Sequence, residues 1–66
     1  MSPHALRTLR RLEGRHVCVA LTDGTRLPDC ELVSAARRGS HTLWVLDAGD
    51  DRFVPLEQVV DVSELA

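Results

Sequence analysis

The chain changes hydrophobic period once, and that change divides it. Leu6, Leu9 and Leu12 recur every third residue with Ala5 beside them, while Arg7, Arg10 and Arg11 fall towards the other side. This spacing predicts an amphipathic helix over about residues 3–13. Ser2 before Pro3 suits a helix start, since a serine oxygen accepts an orphan amide and proline in the first turn forfeits none. Gly14 supplies the stop. A helix of this length is marginal alone in water, so its leucine stripe must dock on the rest of the domain or on a partner.

From His16 the period is two. Val17, Val19 and Leu21 alternate with His16, Cys18, Ala20 and Thr22, which predicts a half-buried strand over about residues 16–22. Asp23-Gly24 tolerates the positive φ of a tight hairpin, so a second strand is expected over about residues 25–36. Pro28 must bend that strand or sit at a bulge, because it has no N–H to donate. Arg37-Arg38-Gly39-Ser40 connects to a third strand, about residues 41–47, through Leu43, Trp44 and Val45. Ala48-Gly49-Asp50-Asp51 turns the chain into a short fourth strand, about residues 52–55, and Pro55-Leu56-Glu57-Gln58 turns it into a fifth, about residues 59–62. One helix and five short strands predict a mainly β fold, a small, strongly bent barrel. Closing the sheet would give a thin core two walls and remove most exposed edges.

Composition narrows the picture without naming an activity. The chain has 66 residues, 44% hydrophobic and 27% charged. A domain of this size buries only roughly 60% of the surface its unfolded chain exposes, which leaves one small core and no deep enclosed cavity. No apolar run approaches the roughly 18 residues of a membrane helix, and Met1-Ser2-Pro3-His4 lacks the pattern of an export signal. The expectation is a single cytoplasmic domain without a membrane partner. His4, His16 and His41 are scattered, Ser34, Ser40 and Ser63 lack a nucleophile context, and Asp47, Asp50 and Asp51 lack calcium-loop alternation. No catalytic residue, metal, cofactor or small-molecule substrate is therefore expected.

Two cysteines are too few for a disulfide framework. If Asp23, Gly24 and Thr25 form a three-residue loop, Leu21 lies opposite Leu27 and Cys18 opposite Cys30; a bulge at Pro28 would shift that register by one. Two small apolar side chains filling space is the default, beside a redox switch or half a metal site. If Leu43 and Val45 face inward, Trp44 faces outward, either under the helix or in an interface.

All eight basic residues are arginines, set against ten acids, for a net charge of −2. Residues 1–15 carry four arginines against Glu13 alone, +3, and the remainder carries −5. Arg7, Arg10, Arg11 and Arg15, joined by Arg37 and Arg38 if their loop folds to that side, are the candidate nucleic-acid contacts. The acidic balance of the whole chain weighs against a duplex-DNA binder.

The run LEGRHVCVALTDGTRL, with Leu12, Gly14, Val17, Val19, Leu21, Asp23-Gly24 and Leu27, resembles the first sequence block of Sm-like proteins, the family of Sm, Lsm and the bacterial Hfq chaperone. The order of one helix and five bent strands is also similar. The resemblance implies an SH3-like/Sm-like barrel whose helix caps one open end. It implies further that the fourth and fifth strands pair between subunits in rings, and that RNA is bound. Phe53, Val54, Val60 and Val62 would then contribute to a homo-oligomer interface. The chain departs from the family where RFVPLEQVV stands in the second block: the basic pair that grips RNA between the last two strands is replaced by Pro55-Leu56-Glu57-Gln58. LVSAARRGSHTLWVLDAGDDRFVPLEQVVDV is similar in pattern to the Rho-binding antitermination factors, small barrels that contact a protein of the RNA machinery. Two roles follow as expectations: weak RNA binding through the arginine-bearing helix face, or a protein-interaction module that kept the barrel and lost the RNA site.

Overall fold

The computed structural model describes residues 3–65, with side chains from Ala5 onward. The leucine stripe forms helix α1, Pro3–Arg11, followed by strands β1, His16–Leu21; β2, Arg26–Ala35; β3, Thr42–Asp47; β4, Asp50–Pro55; and β5, Val59–Glu64. Short 3-10 turns at Arg37–Gly39 and Leu56–Gln58 occupy the two polar connections. The expected Ser2 cap lies outside the described residues. The helix ends two residues earlier than its hydrophobic pattern suggests, because Leu12 to Gly14 already turn the chain onto the sheet. Gly14 has φ +84°, the left-handed geometry that favours glycine, and its N–H donates to the Leu32 carbonyl at 2.6 Å.

The five strands form one antiparallel sheet in the order β4-β3-β2-β1-β5. Alternation places the core as expected: Val17 and Val19 of β1, Leu27, Cys30, Leu32 and Ala35 of β2, Leu43 and Val45 of β3 and Val54 of β4 are buried together. Leu9 joins them from α1, and Leu12 packs against the cluster. Two leucines of the helix stripe, Leu9 and Leu12, are thus covered by the domain itself, and Leu6 is half-buried.

Three expectations are corrected. The β1–β2 register pairs Val19 with Leu27 and Ala20 with Arg26, so Leu21 does not face Leu27. The loop is Thr22-Asp23-Gly24, one residue earlier than expected; Leu21 N–H donates to Thr25 O at 2.9 Å, and the Asp23 carboxylate accepts Thr25 N–H at 2.8 Å. Between Val17↔Cys30 and Val19↔Leu27 the β2 strand carries an extra residue, so Pro28 and Asp29 together oppose Cys18 in a bulge. Cys30 therefore stands opposite Val17 and shares its interior side, while half-buried Cys18 turns the other way. Lastly, the sheet does not close: β4 and β5 are its two ends, each paired on one side only. A second bulge, at Val33, bends β2 again, and the 3-10 turn of Leu56–Gln58 carries the chain from one end of the sheet to the other.

The strands β4 and β5 are both longer than their apolar patterns suggest. Asp50 pairs with Asp47 across the two-residue turn Ala48-Gly49, in which both residues have positive φ, 54° and 85°, the geometry of a primed hairpin turn. Glu64 pairs with Val17 at the far end of β5.

Candidate functional site

The six candidate arginines separate into two groups. Arg10 donates from Nε to the Ala35 carbonyl at 3.3 Å and from Nη2 to the Ala36 carbonyl at 3.1 Å. Ala36 is buried and left-handed, φ 51°, a conformation that costs a residue with a Cβ roughly 1–2 kcal/mol. Arg10 thus ties α1 to the strained exit of β2. Arg37 lies on the Glu13 carboxylate through Nε at 3.0 Å and also through Nη2. Arg15 pairs with Glu64 at 2.8 Å, an exposed contact joining the β1 approach to β5. These three do structural jobs. Arg7, Arg11 and Arg38 are exposed and make no hydrogen bond or ion pair among the described residues.

Glu13 is the residue that a linear charge count misses. Its Oε2 accepts the N–H of Ala35 at 2.8 Å as well as Arg37, with the side chain only 18% exposed. The Arg37 hydrogen bond holds this carboxyl below its ordinary value of 4.5; partial burial opposes that, and the Ala35 amide adds to it. Arg37 is raised in turn by the same contact. The Asp23 carboxyl is likewise lowered by the Thr25 amide in the hairpin loop.

Cys18 and Cys30 are both free thiols, the first half-buried and the second buried. Burial, with the charges of Asp47 and Asp29 adding to it, pushes the Cys30 thiol up and away from thiolate reactivity; its Sγ–H points at the Val17 carbonyl, 3.6 Å away. His16 Nδ1 lies 2.9 Å from Asp29 Oδ1 in an exposed pair. Among the described residues no group of three potential ligands is placed to hold a metal ion, and no helix is long and apolar enough to cross a membrane.

The strongest features are at the sheet ends and on the outer face. Of the expected interface residues, Phe53 is 64% and Val60 65% exposed, Val62 is half-buried against the core, and Val54 is buried within it. Val54 can therefore offer an edge partner its backbone and not its side chain. Trp44 does not pass under the helix: it stands on the outer face, 37% exposed, with its indole N–H donating to Asp51 Oδ1 at 2.9 Å. The Phe53 ring lies beside it, centroids 5.7 Å apart and planes tilted by 30°. Period-two alternation points Trp44 outward, whereas its pairing with Phe53 depends on a register that only the Ala48-Gly49 turn sets.

Compared with protein-family models, with curated proteins and with solved structures, the chain matches none.

Proposed function

We propose that the chain is a non-enzymatic interaction module of Sm-like type, in which copies join by pairing the β4 edge of one with the β5 edge of the next. The observation that carries this reading is the sheet order, which leaves one edge open on each of the two strands that the resemblance assigns to subunit contacts. An open edge is a row of unpaired backbone donors and acceptors, and proteins ordinarily cover such edges or pair them. The residues at these edges support it: Phe53 on β4 and Val60 on β5 are the most exposed large apolar side chains among the described residues. Because the two edges differ, the contact is heterologous and forms a ring where its rotation closes.

Light scattering of the purified chain tests this directly. A mass that is a multiple of 7.3 kDa is expected at micromolar concentration. Val60→Lys, placed where the fold tolerates a charge, is expected to reduce it to the single chain, since an edge lysine blocks strand addition. A wild-type monomer, or a Val60→Lys protein of unchanged mass, would overturn the reading.

A second reading, RNA binding on the helix face, is favoured by one observation: Arg7 and Arg11 are exposed one turn apart and unpaired among the described residues. In filter binding at low salt, uridine- or adenine-rich RNA is expected to be retained and to be lost with Arg7→Glu/Arg11→Glu. Arg10 is unsuitable for this test, because its substitution would damage the Ala36 turn. Absence of retention by the wild-type chain removes this reading.

A further inference from the structure

The outer face of β2, β3 and β4 carries a surface that edge pairing does not explain. Ser34, Trp44 and Phe53 form one row across the three strands, and Glu31, Leu46 and Asp51 form the next. The two rings lie side by side at a shallow angle and form the floor of an open groove of about 450 Å³ whose rim is Ser34, Ser40 and Thr42. The indole is fixed, since Asp51 holds its N–H. A pinned, half-exposed indole beside an exposed phenyl ring offers π faces without spending binding energy on ordering them.

Charge decides what such a floor accepts. The adjoining row supplies two carboxylates, Glu31 and Asp51, and Asp50 follows at the hairpin end. The lining of the groove itself carries no charge of either sign, so these neighbouring carboxylates set its local potential. Arg52, the one cation of this hairpin, belongs to the Asp47 ion pair at 2.9 Å, and His16, next to Glu31 on β1, sits on Asp29. A phosphate-bearing strand would meet repulsion here. A guanidinium or ammonium group would meet attraction from the ring faces and from the carboxylates together.

We propose that the Trp44–Phe53 groove binds cationic side chains, arginine foremost, of a basic segment in a partner protein. The guanidinium plane stacks on the indole while Glu31 and Asp51 supply the opposite charge, and the rim hydroxyls accept hydrogen bonds from its outer N–H groups. The groove lies within one chain and does not require edge pairing, although it shares Phe53 with the β4 edge.

Trp44 is the only tryptophan, so its fluorescence reports the groove alone. The wild-type chain is titrated with a short glycine–serine peptide carrying arginines, with the same peptide carrying citrulline, which keeps the shape and loses the charge, and with a single-stranded RNA oligonucleotide. The arginine peptide is expected to change Trp44 emission and to bind at least about fivefold more tightly than the citrulline peptide. Glu31→Gln/Asp51→Asn, which retains the acceptor for the indole N–H, is expected to erase that preference with the circular dichroism spectrum unchanged. Equal binding of both peptides, no response to arginine, a preference surviving in the double variant, or a stronger response to RNA would each overturn the proposal. Repeating the titration with Val60→Lys separates the two surfaces, because the arginine response is expected to persist there whatever the state of assembly.

Discussion

Val19→Asp is expected to abolish the folded state. Val19 has no exposed surface and pairs on both sides, with Leu27 of β2 and Val62 of β5. An aspartate there would be an ionised group without a partner among valine and leucine side chains, and even after relaxation its burial costs several kcal/mol. A domain of this length holds only about 3–10 kcal/mol in all. Far-UV circular dichroism at neutral pH is expected to show an unfolded chain for Val19→Asp and a native spectrum for Val60→Asp, the same change at an exposed position of β5. A folded Val19→Asp protein would contradict the assignment of Val19 to the core side of β1.

Removal of the Glu13 carboxylate has the second largest expected effect. Glu13→Ala leaves the amide of fully buried Ala35 without its acceptor and leaves Arg37 without its ion pair. An unsatisfied buried amide and a lost charge-assisted hydrogen bond together cost about 2–3 kcal/mol, which for a domain this small lowers Tm by roughly 10 °C or more. Glu13→Gln keeps an acceptor for Ala35 and loses only the charge, so its cost is expected to be about half as large. The pH dependence has a definite sign. The folded carboxyl sits below its unfolded value of 4.5, so its contribution is complete above that value and disappears as pH falls through the lower folded one. Urea unfolding at neutral pH and near pH 3 is expected to show a smaller loss of stability on acidification for Glu13→Gln than for the wild type. Equal losses would remove Glu13 from the account.

The elements that sequence made legible are those in which burial alone sets the pattern. Val17 and Val19, or Leu43 and Val45, alternate with outward residues because one side of each strand meets the core, and the leucines of α1 recur at three because one stripe meets the sheet. Register was not legible. It depends on the Thr22-Asp23-Gly24 loop and on where Pro28 places an extra residue, and the apolar pattern of β2 is compatible with several such placements. The ends of β4 and β5 were missed for a related reason: an outermost strand has water on one side, so Asp50, Asp51 and Glu64 can belong to it without betraying it.

The candidate site was legible only in its raw materials. A count of arginines cannot separate Arg10 and Arg37, which serve backbone carbonyls and Glu13, from Arg7 and Arg11, which have no hydrogen bond or ion pair among the described residues. That distinction arises when the exit of β2 is brought against α1, a contact between segments far apart in the chain. Glu13, the sole acid of the basic segment, was the available signal, since a lone carboxylate among arginines on a half-buried turn is more often an anchor than a spectator. The Trp44–Phe53 neighbourhood likewise needed the β3–β4 turn to be known to the residue.

The position of β5 has a kinetic consequence. The β1–β2, β2–β3 and β3–β4 pairs are nearest neighbours along the chain and can zip one after another from their turns, whereas β5 reaches β1 only across everything between them. The entropy of closing that long loop is recovered only once the other four strands are in place. Annealing of β5 is therefore expected to come last in assembling the sheet and its detachment first on the way out, which would make the flank of β1 the place where a chain caught midway most readily accepts the wrong strand.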